Sequence, residues 1–129
     1  MNWSDALDKT IKEYEAKTLA YGVSDCCQFA SRYLQHKNGG PSLADRFFSY
    51  SGKDGASEAI AKCGSLSDVV AICLGAPTPG KPELGDVVVL SADVGETAAI
   101  YAGDDFVFVH VAAQEVVRTQ GAVVARWSK

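Results

Sequence analysis

The stretch YGVSDCCQFA, residues 21–30, places two adjacent cysteines directly after an aspartate. Asp25 is a good helix N-cap, and Gln28 follows at the spacing of a capping box, so Cys26 is predicted to be the first residue of a helix. The free N–H groups and the positive end of the dipole at such a position stabilise a thiolate and an oxyanion, although the charge of Asp25 competes for them. Cys26 is therefore a candidate nucleophile for acyl transfer.

A nucleophilic thiol needs a base, and the chain has two histidines. His36 lies ten residues after Cys26 in the same predicted helix, about 15 Å along its axis, beyond the reach of a general base. We expect His36 to be a cation near the helix C-terminus or a solvated residue. His110 remains, at the end of the predicted strand FVFVH. The alternation with Phe106 and Phe108, taken alone, favours a histidine that shares a face with core aromatics.

The four cysteines do not form a zinc-binding pattern, because the sequence contains no C-x-x-C and no H-x-x-x-H. Cys63 and Cys73 lie in apolar, helix-like segments, where buried cysteine is common. We therefore expect no metal site and no other cofactor.

Size and charge restrict the class of protein. The 129 residues are enough for one domain with its own core, and the net charge is −4 with scattered basic residues, which argues against nucleic acid as a partner. The polar stretch at residues 1–17 does not resemble a secretory signal, and no apolar run has the length of a membrane span. A cytoplasmic protein with reduced thiols and no membrane partner is the expectation.

The pattern changes along the chain from helical to extended. Helices are predicted from about Ser4 to Leu19, from Cys26 to the glycines of KNGG, from PSLAD onward, and within ASEAIAKCG and SLSDVVAICLG. A proline-containing loop covers residues 76–85, and antiparallel strands in a meander follow from about 86 to 127. The predicted fold is thus one α+β domain, residues 1–129, with N-terminal helices (about 1–75) packed on a C-terminal sheet.

These motifs, taken in order, resemble those of the NlpC-type cell-wall peptidases. The resemblance rests on the D-C pair at a helix start, the proline-containing loop, LGDVVVL and IYAGDDFVFVH, and it covers Tyr21 to about Val111. It implies a papain-like core and a cysteine amidase with no cofactor. Within that group the chain is most similar to small phage- or prophage-encoded proteins of unknown function that carry Y-G-x-x-D-C-C-x-F.

Matched position by position, the resemblance assigns Cys26 to the nucleophile and Gly85 and Asp86 to the G-D turn. Ile100 and Tyr101 match the end of the family's H-V-G-I-Y.

This alignment places Thr97 where the catalytic histidine belongs, and a threonine hydroxyl is not a base near neutral pH. His110 falls near the third polar position, one residue farther along than usual. A shift of the alignment brings in Glu96, a weak base unless burial raises its pKa.

Cys27 and Gln28 replace the Ser-Gly that follows the family's nucleophile. Tyr21, Asp25 and Cys27 are the candidate substrate and oxyanion contacts.

Three hypotheses follow. The first is a papain-like domain that has lost its base and serves as a tail-assembly, structural or binding component of a phage or prophage, with other tail proteins or a peptidoglycan stem peptide as partner. Such a component would be virion-associated. The second is an active amidase on cell-wall peptides, with Cys26 as nucleophile and His110 as base. The third is an ordinary α+β binding module whose cysteines are packing residues.

Overall fold

The computed structural model describes residues 1–43, 50–93 and 95–129. In these ranges four helices precede five strands, which confirms the predicted α+β class with the helices ahead of an antiparallel sheet. The helices are α1 (Trp3–Glu15), α2 (Cys26–Asn38), α3 (Gly52–Cys63) and α4 (Leu66–Leu74), and the strands are β1 (Val87–Ala92), β2 (Gly95–Tyr101), β3 (Phe106–His110), β4 (Glu115–Thr119) and β5 (Ala122–Trp127).

Local signals place most helix ends correctly. The Asp25 carboxylate accepts a hydrogen bond from the Gln28 N–H at 3.0 Å, so α2 begins at Cys26 as predicted, and Gly64 and Gly75 follow the last residues of α3 and α4. The prediction of a helix beginning in PSLAD falls largely on residues 44–49, outside the described ranges.

The first helix is shorter than predicted, because it ends at Glu15 and does not reach Leu19. The Gln114 side chain binds the Leu19 backbone twice, since it accepts from the N–H at 2.9 Å and donates to the carbonyl at 2.7 Å. These two bonds hold Leu19 against the β3–β4 turn in a conformation that the helix cannot adopt.

The strand order is β4-β3-β2-β1-β5, with every neighbouring pair antiparallel. The predicted meander is correct for β1 to β4 but wrong for β5, which returns to pair with β1. Two long-range contacts hold β5 there: Arg126 Nη1 donates to the Asp86 carboxylate at 2.7 Å, and the Trp127 indole N–H donates to the Gly75 carbonyl at 2.9 Å.

The sheet is strongly curled. Strands β4 and β5 lie at opposite edges, yet two residues join them, so Thr119 and Ala122 are at most about 11 Å apart. Across a flat five-stranded sheet the edges would be about 19 Å apart. Curling encloses a second apolar cluster on the side of the sheet away from the helices, formed by Val88, Leu90, Ala99, Phe106 and Phe108.

The helices cover the other side of the sheet. Helix α2 packs on β2 and β3, and its buried Phe29 and Tyr33 join Ile100 and Val107 in the main core. This packing sets the first residue of α2, Cys26, beside the part of the sheet where β2 and β3 run side by side.

Helix α1 is joined to α2 by a charged cluster. Glu13 forms an ion pair with Arg32 at 3.0 Å, and its other carboxylate oxygen contacts the ring of His36. The His36 side chain is only 8% exposed, so the expectation of a solvated residue is wrong. Its position in the last turn of α2 agrees with the other expectation, a residue at the helix C-terminus. Burial raises the pKa of Glu13, but the hydrogen bonds from His36 and Arg32 outweigh it and lower the pKa overall.

Because the folded-state pKa of Glu13 is lowered, the stability that its carboxylate contributes is present above the ordinary pKa and is lost as the pH falls through the folded-state value. We expect Glu13→Gln to reduce the free energy of unfolding by about 1 kcal/mol at pH 7. This difference should shrink on acidification below pH 4.5, in urea unfolding at a series of pH values. A difference that stays constant over that range would contradict the role of the carboxylate charge.

Candidate functional site

The start of α2 is fixed by the carboxylate of Asp25, which is buried. One oxygen accepts from the Gln28 N–H, and the other accepts from the Gly22 N–H at 2.9 Å and from the Tyr50 hydroxyl. Burial, together with the charge of Asp25, raises the pKa of the Tyr50 hydroxyl, so it remains a donor. With these three donors around it, Asp25 holds the start of α2 against the turn at Gly22 and against Tyr50.

Gly22 is required by the same arrangement. Its φ is +85°, and a Cβ built on it would lie 2.1 Å from the Tyr50 carbonyl oxygen. Its carbonyl lies 3.5 Å from the Gln28 side-chain amide, which therefore reaches the turn before Asp25 and does not close a reciprocal capping box. The Y-G-x-x-D-C-C motif thus encodes a tight turn and a helix cap.

The two adjacent thiols at this helix start differ in acidity. A hydrogen bond from Cys27 is the largest cause of a lowered pKa at Cys26, helped by the Thr97 side chain and the Ala98 N–H, while burial and the charge of Asp25 act in the opposite direction. The same hydrogen bond and burial raise the pKa of Cys27 well above its ordinary value. Cys26 is therefore the thiol that ionises first.

The first turn of α2 also provides free donors. Within the described ranges, neither the Cys26 N–H nor the Cys27 N–H makes a hydrogen bond, because Asp25 binds the N–H groups of Gly22 and Gln28 instead. The competition from Asp25 that the sequence suggested does not involve these two groups. Unpaired N–H groups at a helix start are the kind of donor that binds an anionic oxygen.

Thr97 lines the same cavity as Cys26, and its side chain helps to lower the pKa of that thiol. It lies on β2 opposite Leu90 and is only 4% exposed. Its hydroxyl donates to the Ala98 carbonyl at 3.3 Å. The residue beside the thiol is therefore a hydrogen-bond donor, and it does not supply a base of useful strength.

His110 lines the same cleft as Cys26, at the end of β3. The pairing of β2 with β3 is limited to Ile100–Val107 and Tyr101–Phe106, and continuing this register would set Thr97 opposite His110. No hydrogen bond joins His110 to Cys26 in the described part of the chain. The histidine is thus in the cleft, on the strand next to Thr97, and makes no hydrogen bond to the thiol in the described part of the chain.

The cleft itself is a cavity of about 250 Å³. It opens where β2 and β3 stop pairing, between the start of α2 and one face of α3. It is lined by the candidate catalytic and substrate-contact residues Tyr21, Asp25, Cys26, Cys27, Thr97 and His110, and by Glu96, the alternative base. Other lining residues were not predicted, namely Tyr50, Lys53, Ala56, Ile60, Leu66, Val109, Val111 and Ala112. The spacing of Lys53, Ala56 and Ile60 on one helix face was the available signal, but it does not show what that face contacts.

The G-D pair lies away from the cleft and has a structural role. A Cβ on Gly85 would lie 2.5 Å from Trp3, and the Gly85 carbonyl accepts from the Tyr33 hydroxyl at 2.6 Å. Asp86 accepts from the Glu83 N–H and from Arg126. Gly85 and Asp86 therefore fix the start of β1 against the helices and β5.

The remaining cysteines do not join the cleft. Cys63 is exposed, which corrects the expectation that an apolar context would bury it, and Cys73 is partly buried. Burial raises the pKa of the Cys73 thiol. In the described ranges no group of three or more His, Cys, Asp or Glu side chains is arranged to hold a metal ion. Helices long and apolar enough to cross a bilayer are likewise missing from those ranges.

Fold and cleft together define a small α+β domain with an ionisable thiol at the start of a helix. The chain matches a family described as Domain of unknown function (DUF6950) over residues 1–128, and it belongs to that family. Comparison with curated proteins and with solved structures gives no match.

The close approach of Gly22 to Tyr50 makes a specific stability prediction. Gly22→Ala should lower the free energy of unfolding by more than about 2 kcal/mol, because it adds a steric clash to the cost of a positive φ. Gly40→Ala is the matched control, since Gly40 has a φ of +86° with open space around its Cα. Urea unfolding of both variants checks this, and equal losses would show that the contact with Tyr50 is unimportant.

Proposed function

We propose that the chain is a papain-like domain of the NlpC type, of phage or prophage origin, that has lost its general base. In this proposal its cleft binds a peptide or protein segment as part of a tail-assembly, structural or binding component. Support comes from the order of the elements, with Cys26 at the start of a helix that packs on β2 and β3 of an antiparallel sheet. The family-like motifs supply the rest of the resemblance.

The position of Thr97 in the same cavity as Cys26, where its side chain lowers the pKa of the thiol, carries the proposal. It supports the alignment that puts Thr97 at the histidine position, because the side chain at that position touches the nucleophile in a working pair. Threonine stabilises a thiolate by donating a hydrogen bond, but it does not take up the thiol proton or deliver it to a leaving amine. The site therefore has an anion-stabilising helix start and lacks the proton transfer that amide hydrolysis needs.

Binding remains possible without that proton transfer. The cleft combines a thiol, two tyrosines and apolar side chains, which suits one or two residues of a peptide. The partners we propose are other phage tail proteins or a peptidoglycan stem peptide. A component assembled into a tail would be made in the cytoplasm and become virion-associated.

The presence of His110 in the cleft favours one alternative, an active cysteine amidase on cell-wall peptides. There, the imidazole would take the Cys26 proton through a water or after a small movement of β3, and the first-turn N–H groups would stabilise the tetrahedral oxyanion. Cys26 would form a thioester that water then hydrolyses. The wild-type chain should then be active and His110→Ala inactive.

Restoring the missing base tests the main proposal. Thr97→His should lower the apparent pKa for alkylation of Cys26 by at least about one unit, because an imidazolium beside a thiolate stabilises it. The variant should also hydrolyse a stem-peptide substrate at least about 100-fold faster than the wild type, the ordinary contribution of a general base. Thr97→Ser is the matched control, since it keeps a hydroxyl and adds no base.

Removal of His110 separates the two candidates. The main proposal expects the wild type to show no turnover above that of Cys26→Ala, and expects His110→Ala to leave the pH dependence of Cys26 alkylation unchanged. Both would be measured by peptide mass on the folded protein. Wild-type turnover that is lost in both Cys26→Ala and His110→Ala would refute the proposal and establish the amidase.

A further inference from the structure

One wall of the cleft is formed by α3. Lys53, Ala56 and Ile60 lie on one face of this helix at steps of three and four residues and all line the cleft, and Ala56 and Ile60 make the wall apolar beyond Lys53. Leu66 at the start of α4 and Val109 on β3 extend the wall. At about 250 Å³ the cavity is smaller than the roughly 300–1,000 Å³ of ordinary small-molecule pockets, so it admits a group of one or two residues.

Charged groups of opposite sign line the same cleft. Lys53 stands on the α3 wall, and within the described ranges its ammonium forms no ion pair or hydrogen bond. Glu96, at the start of β2, is exposed and equally unpaired in those ranges. Asp25 also borders the cleft, but its carboxylate is bound by three donors and is less available to a ligand.

We infer that the cleft selects a short peptide with a free C-terminal carboxylate and a small aliphatic last residue. Lys53 binds the carboxylate, the side chain packs against Ala56, Ile60 and Leu66, and Glu96 favours a positively charged group at the other end. The inference rests on the proposed binding function and names its ligand. An internal peptide segment lacks the carboxylate, so the cleft discriminates chain ends from continuous chain.

The electrostatic potential at Cys26 is measured with two alkylating reagents of similar size. Iodoacetate carries a carboxylate and iodoacetamide does not, so the ratio of their rates at Cys26 reports the charge that the reagent meets in the cleft. At low ionic strength, Lys53→Gln should lower this ratio about twofold and Glu96→Gln should raise it similarly, the scale expected for one unscreened charge within about 8 Å in water. Lys62→Gln, on the same helix but outside the cleft, is the matched control and should leave the ratio unchanged.

Selection of the peptide end is measured by protection of Cys26 from iodoacetamide. The dipeptide Gly-Val with a free carboxylate should protect, and its C-terminal amide should protect at least about threefold less. Lys53→Gln should remove this difference, and Lys62→Gln should retain it.

Equal protection by acid and amide, or a ratio of iodoacetate to iodoacetamide rates that is unchanged in Lys53→Gln, would overturn the inference. Neither result would contradict the proposed binding function. Cleavage of a stem peptide by the wild-type protein, in contrast, would overturn the proposed function, whatever the two reagents show.

Discussion

The buried carboxylate of Asp25 is the group on which the candidate site depends, because it binds three segments at one point. The turn at Gly22, the start of α2 and Tyr50 each send it one donor. A buried charge without such donors would cost several kcal/mol, so the three contacts are needed together. Asp25 accepts from the Gly22 and Gln28 N–H groups, and within the described ranges the Cys26 and Cys27 N–H groups make no hydrogen bond.

The thiol environment has only half of what a cysteine hydrolase needs. Cys27, Thr97 and the Ala98 backbone each lower the pKa of Cys26, so they favour the thiolate. None of these three groups accepts the proton in exchange, and His110 stands one strand away in the same cleft. Hydrogen-bond donors alone stabilise the Cys26 thiolate but do not take part in proton transfer.

Short-range signals predicted the start of α2 and the positions of the strands, because cap spacing and alternation are local properties of the sequence. The return of β5 to β1 was not predictable in this way, since it depends on Arg126 and Asp86, forty residues apart, and on Trp127 with Gly75. The residues of the cleft also differ in how far the sequence predicts them. Cys26 and Thr97 were predicted from motifs and from the resemblance. Lys53 and Tyr50 reach it only through the packing of α3 and its preceding segment, which no local pattern encodes.

The pairing of β5 with β1 has a consequence for how the chain folds. Strand β1 begins with Val87–Leu90, four apolar residues that are all buried, and one of its edges stays unpaired until the chain has continued through β2, β3 and β4. A folding intermediate that contains β1 to β4 alone would present this edge to other chains, which is a known route to aggregation. The two-residue link between β4 and β5 limits the time in that state, since formation of β4 delivers β5 close to its place. The curl of the sheet thus brings β5 to the free edge of β1, as well as enclosing the second apolar cluster.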